Sequence, residues 1–225
     1  MKRHDTTFIV MPAFNEAPAI EEAIREVADC GYRHVIVVDD GSDDDTYERA
    51  RAVEGVVAVR HFLNRGKGAA VKTGIEAAKI LGAEVVVTMD ADGQHNPAQI
   101  APMLELIRQG CDVVLGTRLK NPRGMPLYKI AANFAGNCVT WLLYGLWVTD
   151  SQSGFRAYSK RAIDLIDTRT DRYEYDTEVI REIKRHRLRF VEMPIEVRYT
   201  AYSRSKRHKQ NMKNAVKALV KLLIS

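Results

Sequence analysis

The chain has 225 residues, 46% of them hydrophobic and 28% charged, which suits one large domain, or a domain with an appendage, and an ordinary buried core. Its three cysteines, Cys30, Cys111 and Cys138, lie far apart without a CxxC pair or histidines at zinc spacing, which speaks against a zinc site and for reduced thiols in a reducing compartment. The net charge of +5 divides unevenly: residues 181–225 carry 13 Lys/Arg against 3 Asp/Glu, so an acidic body ends in a basic segment suited to an anionic partner.

The first segment, MKRHDTTFIVMP, has no secretory signal pattern and runs directly into a strand, TFIVM (7–11). In EAPAIEEAIREVADCG, Ile20, Ala23, Ile24 and Val27 fall on one face of a helix that Gly31 is placed to end. HVIVVD (34–39) predicts a second strand. In SDDDTYERARAV, Ser42 and the acids stand where a helix start favours anions. VVAVR (56–60), EVVVTMD (84–90) and DVVLGT (112–117) read as three more strands, and GKGAAVKTGIEAAKILG and NPAQIAPMLELIRQG as the helices between them. This alternation predicts a doubly wound α/β sheet, mainly parallel, with ligands bound beyond the carboxyl ends of the strands.

From residue 126 the pattern changes. PLYKIAANFAGNCVTWLLYGLWVTD is apolar for about twenty residues, near the length that spans a bilayer. Its internal Asn133 and Asn137 and the lack of a charged stop favour a core helix or an interfacial one, with Trp141, Tyr144 and Trp147 at a lipid boundary. DSQSGFRAYS (150–159) reads as a polar stretch. RYEYDTEVIREIKRH (172–186) predicts a helix and LRFVEMPIEV (188–197) a strand. In the last segment Val216, Leu219, Val220 and Leu223 oppose Lys213, Lys217 and Lys221. That is a basic amphipathic helix for an anionic membrane, or one docked on the domain's own core.

Chemistry-bearing residues gather at the strand ends: PAFNE (12–16), DDGSDDDT (39–46), DADGQ (90–94) and GTR (116–118). Neither GxGxxG nor GxxxxGK[ST] is present, so a dinucleotide fingerprint and a P-loop are both absent, and GKG (66–68) alone is weak support for phosphate binding. Asp90 and Asp92, in an extended stretch, would point to one side and could share a hard cation such as Mg²⁺ or Mn²⁺, with the Gln94 amide oxygen assisting. A bare DxD is common by chance, and its place after a buried strand raises it. His95 reads as a loop residue. Asp39 and Asp40 could accept hydrogen bonds from ribose or base, while Asp43, Asp44 and Asp45 read as turn and cap acids. Arg118 and Lys206 suit a diphosphate. Asp176 and Glu178 could serve as a base for a hydroxyl acceptor, or as orienting and helix-start acids.

PAFNE, VVDDGSDDDT, NRGKGAA, MDADGQHNP, GTR and DSQSGFRAY occur in the order seen in GT-A glycosyltransferases of family 2. Within these the chain resembles the polyprenyl-phosphate sugar synthases, with the dolichol-phosphate mannose synthases as reference. The resemblance covers nearly the whole chain. It implies a Rossmann-like GT-A domain over 1–207 (a nucleotide-sugar half, 1–117, and an acceptor half, 118–207), followed by a basic amphipathic helix at 208–225. It also implies a nucleotide-sugar donor such as GDP-mannose or a UDP-sugar, a divalent metal, Mg²⁺ or Mn²⁺, and a polyprenyl or dolichyl phosphate acceptor on the cytoplasmic face of a membrane. Carried over by motif, Pro12, Phe14 (often Tyr in the family), Glu16, Val38 and Asp40 would hold the nucleotide. Asp90, Ala91, Asp92 and Gln94 would bind metal and diphosphate. Arg118 would contact the donor, and Lys129 and Lys206 match basic positions near the phosphates. Asp92, Arg118 and Lys206 are thus the expected catalytic residues. The family's RxRGxSK segment reads TAYSRSK here, so Ser203 replaces its Gly, and Arg198 stands out of register as a substitute for the missing arginines. Many relatives continue into transmembrane helices. This chain would act alone at the surface, as a homo-oligomer, or with a membrane-protein partner, and not on nucleic acid.

Three rivals remain at this point. A family-2 transferase with a saccharide hydroxyl acceptor would need a base. A nucleotidyltransferase would be expected to carry a Gly-rich loop after strand one. A non-enzymatic membrane- or nucleic-acid-binding module leaves acids at three successive strand ends unexplained.

Overall fold

The structure, a computed structural model, describes residues 6–119, 127–172 and 174–198, except the side chains of 127–129, 131 and 132. The element order is β1 (Thr7–Ala13), α1 (Ile20–Asp29), β2 (His34–Asp39), α2 (Thr46–Ala52), β3 (Val56–Arg60), α3 (Lys67–Ile80), β4 (Val85–Thr88), α4 (Ile100–Arg108) and β5 (Val113–Thr117). It continues through α5 (Leu127–Tyr144), β6 (Arg156–Ser159), α6 (Lys160–Leu165), α7 (Glu174–Arg185) and β7 (Phe190–Pro194). Seven strands form one sheet in the order β3-β2-β1-β4-β6-β5-β7. Every neighbouring pair is parallel except those of β6, which runs antiparallel to both β4 and β5.

Alternation along the strands builds two cores. Ile9 and Met11 of β1 pack under α1 and α4 with Ile20, Ile24, Ile100 and Met103. Phe8 and Val10 turn to the other face and meet α3, α6 and α7 through Val71, Ile163, Val179 and Ile180. Both faces of the parallel strands are covered, which is why they read as continuous apolar runs. The predicted face of α1 is the buried one. The mixed α/β architecture, a mainly parallel sheet between helices, is the expected fold class.

Two expectations need correction. DSQSGFRAYS is not merely a polar stretch: its last four residues form β6, whose Arg156, Ala157 and Tyr158 are buried. The run was too short, and too rich in Arg and Ser, to carry a strand signal of its own. β4 also stops at Thr88, so Asp90 and Asp92 lie in a turn beyond it rather than in the strand.

α5 is neither a span nor a core helix. No helix among the described residues is long and apolar enough to cross a membrane. Phe134, Trp141, Leu142 and Leu143, with Trp147 just beyond the helix, are exposed, and the Trp147 ring makes edge contacts with Phe134 at 6.0 Å and Trp141 at 6.4 Å. The inner face is polar. Asn137 donates to the Thr149 carbonyl at 2.5 Å and accepts from the Ser151 amide and hydroxyl at 3.0 and 2.8 Å.

Candidate active site

Parallel strands deliver their carboxyl ends to one edge of the sheet, and antiparallel β6 delivers its amino end to that same edge. Segment 150–155 therefore joins the turns after β1, β2, β4 and β5.

Asp40, after β2, fastens the loop that leads into α3. Its carboxylate accepts from His61 Nδ1 at 2.7 Å, the Arg65 amide at 3.0 Å and the Gly66 amide at 2.7 Å. Asp39 accepts from the Ser42 amide and hydroxyl, and Arg60 Nε lies 3.1 Å from its other oxygen. Asp44 accepts from Thr46 and the Ala17 amide, the turn role expected of it. Pro12 pairs in register with Val38, Phe14 is partly exposed, and the Glu16 amide donates to Thr46 Oγ1 at 2.8 Å. The strand-one turn and the β2 acids thus form one hydrogen-bonded unit.

At the end of β4, Asp90 has both carboxylate oxygens engaged. Oδ1 meets Lys67 Nζ at 2.6 Å and Oδ2 meets His95 Nε2 at 3.2 Å. Burial alone would raise the Asp90 carboxyl, but the Lys67 ammonium and the His95 ring outweigh it and hold the group well below the usual carboxylate range. Burial likewise disfavours the charge on Lys67, and Asp90 and Asp176 overcome it to raise that pKa. Asp92 goes the other way: burial, and then the charge of Asp90, push its carboxyl up. It accepts from the Gln94 amide at 3.0 Å, and Ala91 between the acids is buried in the core.

Arg118, after β5, is clamped by Asp150 from the segment before β6. Its backbone amide, Nε and Nη2 reach the carboxylate at 3.0, 2.7 and 2.8 Å, and Asp150 is fully buried. Beneath them Arg156, also buried, donates to the carbonyls of Ser153, Ser151 and Asp176 at 2.7, 2.7 and 3.1 Å. Asp176 lies in the first turn of α7, where burial raises its carboxyl despite Lys67 and Arg156 nearby. Glu178 is a structural acid instead, accepting from the Arg169 and Thr170 amides, the Thr170 hydroxyl and Arg181.

The expected residues at 12–16, 38–40, 90–94 and 118 therefore converge on one edge. The Lys129 side chain and Lys206 lie outside the described residues, as do residues 208–225, where the sequence predicts a helix. Arg198 is bound elsewhere: its guanidinium meets Glu26 at 2.8 and 2.9 Å and Asn96 at 3.0 Å. Lys67, Asp150 and His95 also line this edge, though the sequence marks Lys67 only through GKG (66–68) and His95 only as a loop residue. His95, expected in a loop, is buried against Phe155 with its ring centroid 4.9 Å away. Besides GKG (66–68), the local signal for Lys67 is a cation at a helix start, where the dipole favours anions.

The acids fit a hard divalent cation. Asp92 is a carboxylate whose ionised form the fold disfavours beside Asp90, a repulsion that such a cation relieves. No group of three or more His, Cys, Asp or Glu placed to hold a metal occurs among the described residues. That donor set leaves coordination positions for substrate phosphates and water, as Mg²⁺ and Mn²⁺ sites commonly do.

Several known proteins are similar to this chain. An uncharacterized protein of Methanocaldococcus jannaschii is 42% identical over 226 residues, covering 98% of this chain and 92% of its own length. The UDP-N-acetylglucosamine–dolichyl-phosphate N-acetylglucosaminyltransferase of Methanococcus voltae is 38% identical over 218 residues, 87% of each chain. Among solved structures, glucosyl-3-phosphoglycerate synthase of Mycobacterium tuberculosis, in complex with Mn²⁺, UDP and phosphoglyceric acid, superposes with a TM-score of 0.70. It is 18% identical and covers 96% of this chain and 78% of its own, a likeness of fold. The model of glycosyl transferase family 2 matches residues 8–167, and with these relatives it establishes that the chain belongs to that family.

Proposed function

We propose that this chain is a metal-dependent, inverting glycosyltransferase that moves a sugar from a nucleotide sugar to a polyprenyl phosphate at the cytoplasmic face of a membrane. The observation that carries the reading is the meeting of the Asp90–Asp92 turn with Lys67 and the Arg118–Asp150 pair at one sheet edge. Acids able to hold a cation stand there beside cations able to hold a diphosphate.

Asp92, with Asp90 and Gln94, would hold Mg²⁺ or Mn²⁺, which when bound supplies positive charge against the departing nucleoside diphosphate. Pro12, Phe14, Glu16, Val38 and Asp40 border the nucleotide. Arg118, held at a fixed angle by Asp150, would face the phosphates, and by the family motif Lys129 and Lys206 would be the further cations for them. A phosphate monoester, with its second pKa near 6, is already largely ionised at neutral pH. It can therefore attack the anomeric carbon without a protein base, in line with the leaving group and with inversion. The Methanococcus voltae relative supports UDP-N-acetylglucosamine as the first donor to try, ahead of UDP-glucose and GDP-mannose. The basic residues of 181–225 and the exposed aromatic face of α5 support the membrane surface as the place of action.

A second reading has one observation in its favour. Asp176 sits near Lys67, Asp90 and Arg118 with its carboxyl raised, a suitable base for a sugar hydroxyl acceptor. Incubation with a panel of nucleotide sugars and Mn²⁺, with either a short polyprenyl phosphate or a saccharide as acceptor, tests both. A glycosylated lipid phosphate, formed equally by wild type and Asp176→Asn, is the expected result. No lipid product with any donor, or turnover only on a saccharide and lost in Asp176→Asn, would favour the hydroxyl acceptor.

A further inference from the structure

Lys67 is out of place by local rules. It opens α3, whose first turn has no acid, at the helix end where positive charge is disfavoured. Its placement is nevertheless well determined. Gly66, with φ of 107°, turns the chain into the helix, and Asp40 fixes the Arg65 and Gly66 amides. The lysine then reaches across to Asp90 through space that Gly154 leaves open. A Cβ at 154 would stand 2.3 Å from Lys67 Nζ and 3.1 Å from Asp90 Oδ1. With His95 on the other oxygen, the protein itself engages both oxygens of Asp90.

We infer that Lys67 is the resident counter-ion of Asp90 and competes with the divalent cation for that carboxylate, so that cation and donor diphosphate load together. The inference rests on the function proposed above. Formal charge explains the coupling. Asp90, Asp92 and Lys67 together carry one net negative charge. A divalent cation and a diphosphate dianion arriving together leave that total unchanged. The cation alone would turn it positive and stand beside the Lys67 ammonium, a like-charge contact that a half-buried site screens poorly. The diphosphate gives the displaced ammonium a new partner. Lys67 is thus a positioning residue for the metal step, acting through Asp90.

The test is a Mn²⁺ titration of the intact chain by electron paramagnetic resonance, with and without UDP and corrected for Mn²⁺–UDP in solution. Wild type, Lys67→Met and Lys67→Arg are compared. In wild type, saturating UDP should tighten Mn²⁺ binding several-fold. Lys67→Met should bind Mn²⁺ alone about tenfold more tightly than wild type, because a unit charge beside the ligand is gone, and should lose most of the UDP effect. Lys67→Arg, which keeps the charge, should stay near wild type. Mn²⁺ binding to Lys67→Met no tighter than to wild type, or shifted equally in both variants, overturns the inference and leaves Lys67 as a prop for its loop. Should Lys67→Met fail to fold, wild type decides: Mn²⁺ affinity that is the same with and without UDP overturns it. Wild type binding neither Mn²⁺ nor UDP would sink the proposed function too, whereas normal binding of both with an unaltered Lys67→Met sinks only the lysine's role.

Discussion

The turns at the carboxyl ends of β1, β2 and β4 and the helix α5 are built in opposite ways. Around β1, β2 and β4, polar side chains sit at the rim and tie loops together: Asp40 to the 61–66 loop, Ser42 to Asn15, Asp44 to Ala17. α5 is reversed, with Asn137 and Thr140 buried inside and Phe134, Trp141 and Leu142 outside. The first arrangement ties the strand-end turns to one another. The second leaves a contiguous apolar face, which on a folded protein marks a contact surface. Asn137 joins the two regions, because the 149–151 segment it holds carries Asp150, the partner of Arg118.

Breaking the donor side should cost most. Asp92→Ala is expected to reduce turnover by roughly a thousandfold, since it removes a proposed ligand for the cation. Its melting temperature should not fall, because burial and Asp90 already disfavour that charge. Parallel assays of turnover and thermal melting check both halves of the statement, and unchanged turnover would end the metal assignment.

Asp150→Ala strikes the junction between the two regions. It strands Arg118, whose side chain is 28% exposed, so the loss should be about 2–3 kcal/mol, below the range for fully buried pairs. Denaturant unfolding measures that loss, and donor affinity should fall with it. Asp40→Asn should weaken donor binding about tenfold through its loosened loop, with a smaller fall in stability, readable by calorimetry with UDP.

Glu178→Gln separates a structural acid from the site. Burial would raise Glu178, but the Thr170 hydroxyl and amide, then Arg181, outweigh it and lower its pKa below the ordinary 4.5. A lowered folded-state pKa gives stability that is present above 4.5 and lost as pH falls through the folded value. The variant should therefore be about 1–2 kcal/mol less stable at pH 7 and equal to wild type in strong acid, with turnover retained. Melting curves across pH read it. The smallest effect on fold and donor chemistry is expected from Trp141→Ser with Trp147→Ser: unchanged melting and UDP binding, but weaker sedimentation with anionic liposomes. Unaltered liposome binding would remove α5 from the membrane contact.

The parallel strands were legible because each is a short β-branched run ended by turn residues, and the site acids stood out because they recur at those ends. Asp150, Arg156 and Lys67 were not legible as partners. Their meaning depends on which strand lies between β4 and β5, and no local pattern records that order. Val85–Thr88 and Arg156–Ser159 pair across the sheet, yet only the first has the residues that announce a strand. Asp40 was readable as important, whereas its engagement by three groups of the 61–66 loop needed coordinates.

The antiparallel insertion of β6 also bears on how the molecule assembles. Thr88 donates to the Gly154 carbonyl across 66 positions of sequence, and β4 and β5 meet only through the strand that follows Gly154. As the chain leaves the ribosome, β4 keeps an unpaired edge until residue 159 has emerged, and such distant pairing is slow to form. Residues 1–117 hold four of the six family motifs but lack the strand that joins β4 to β5. The pocket is completed only after most of the chain exists, so an early fragment presents an open edge instead of a half-active enzyme.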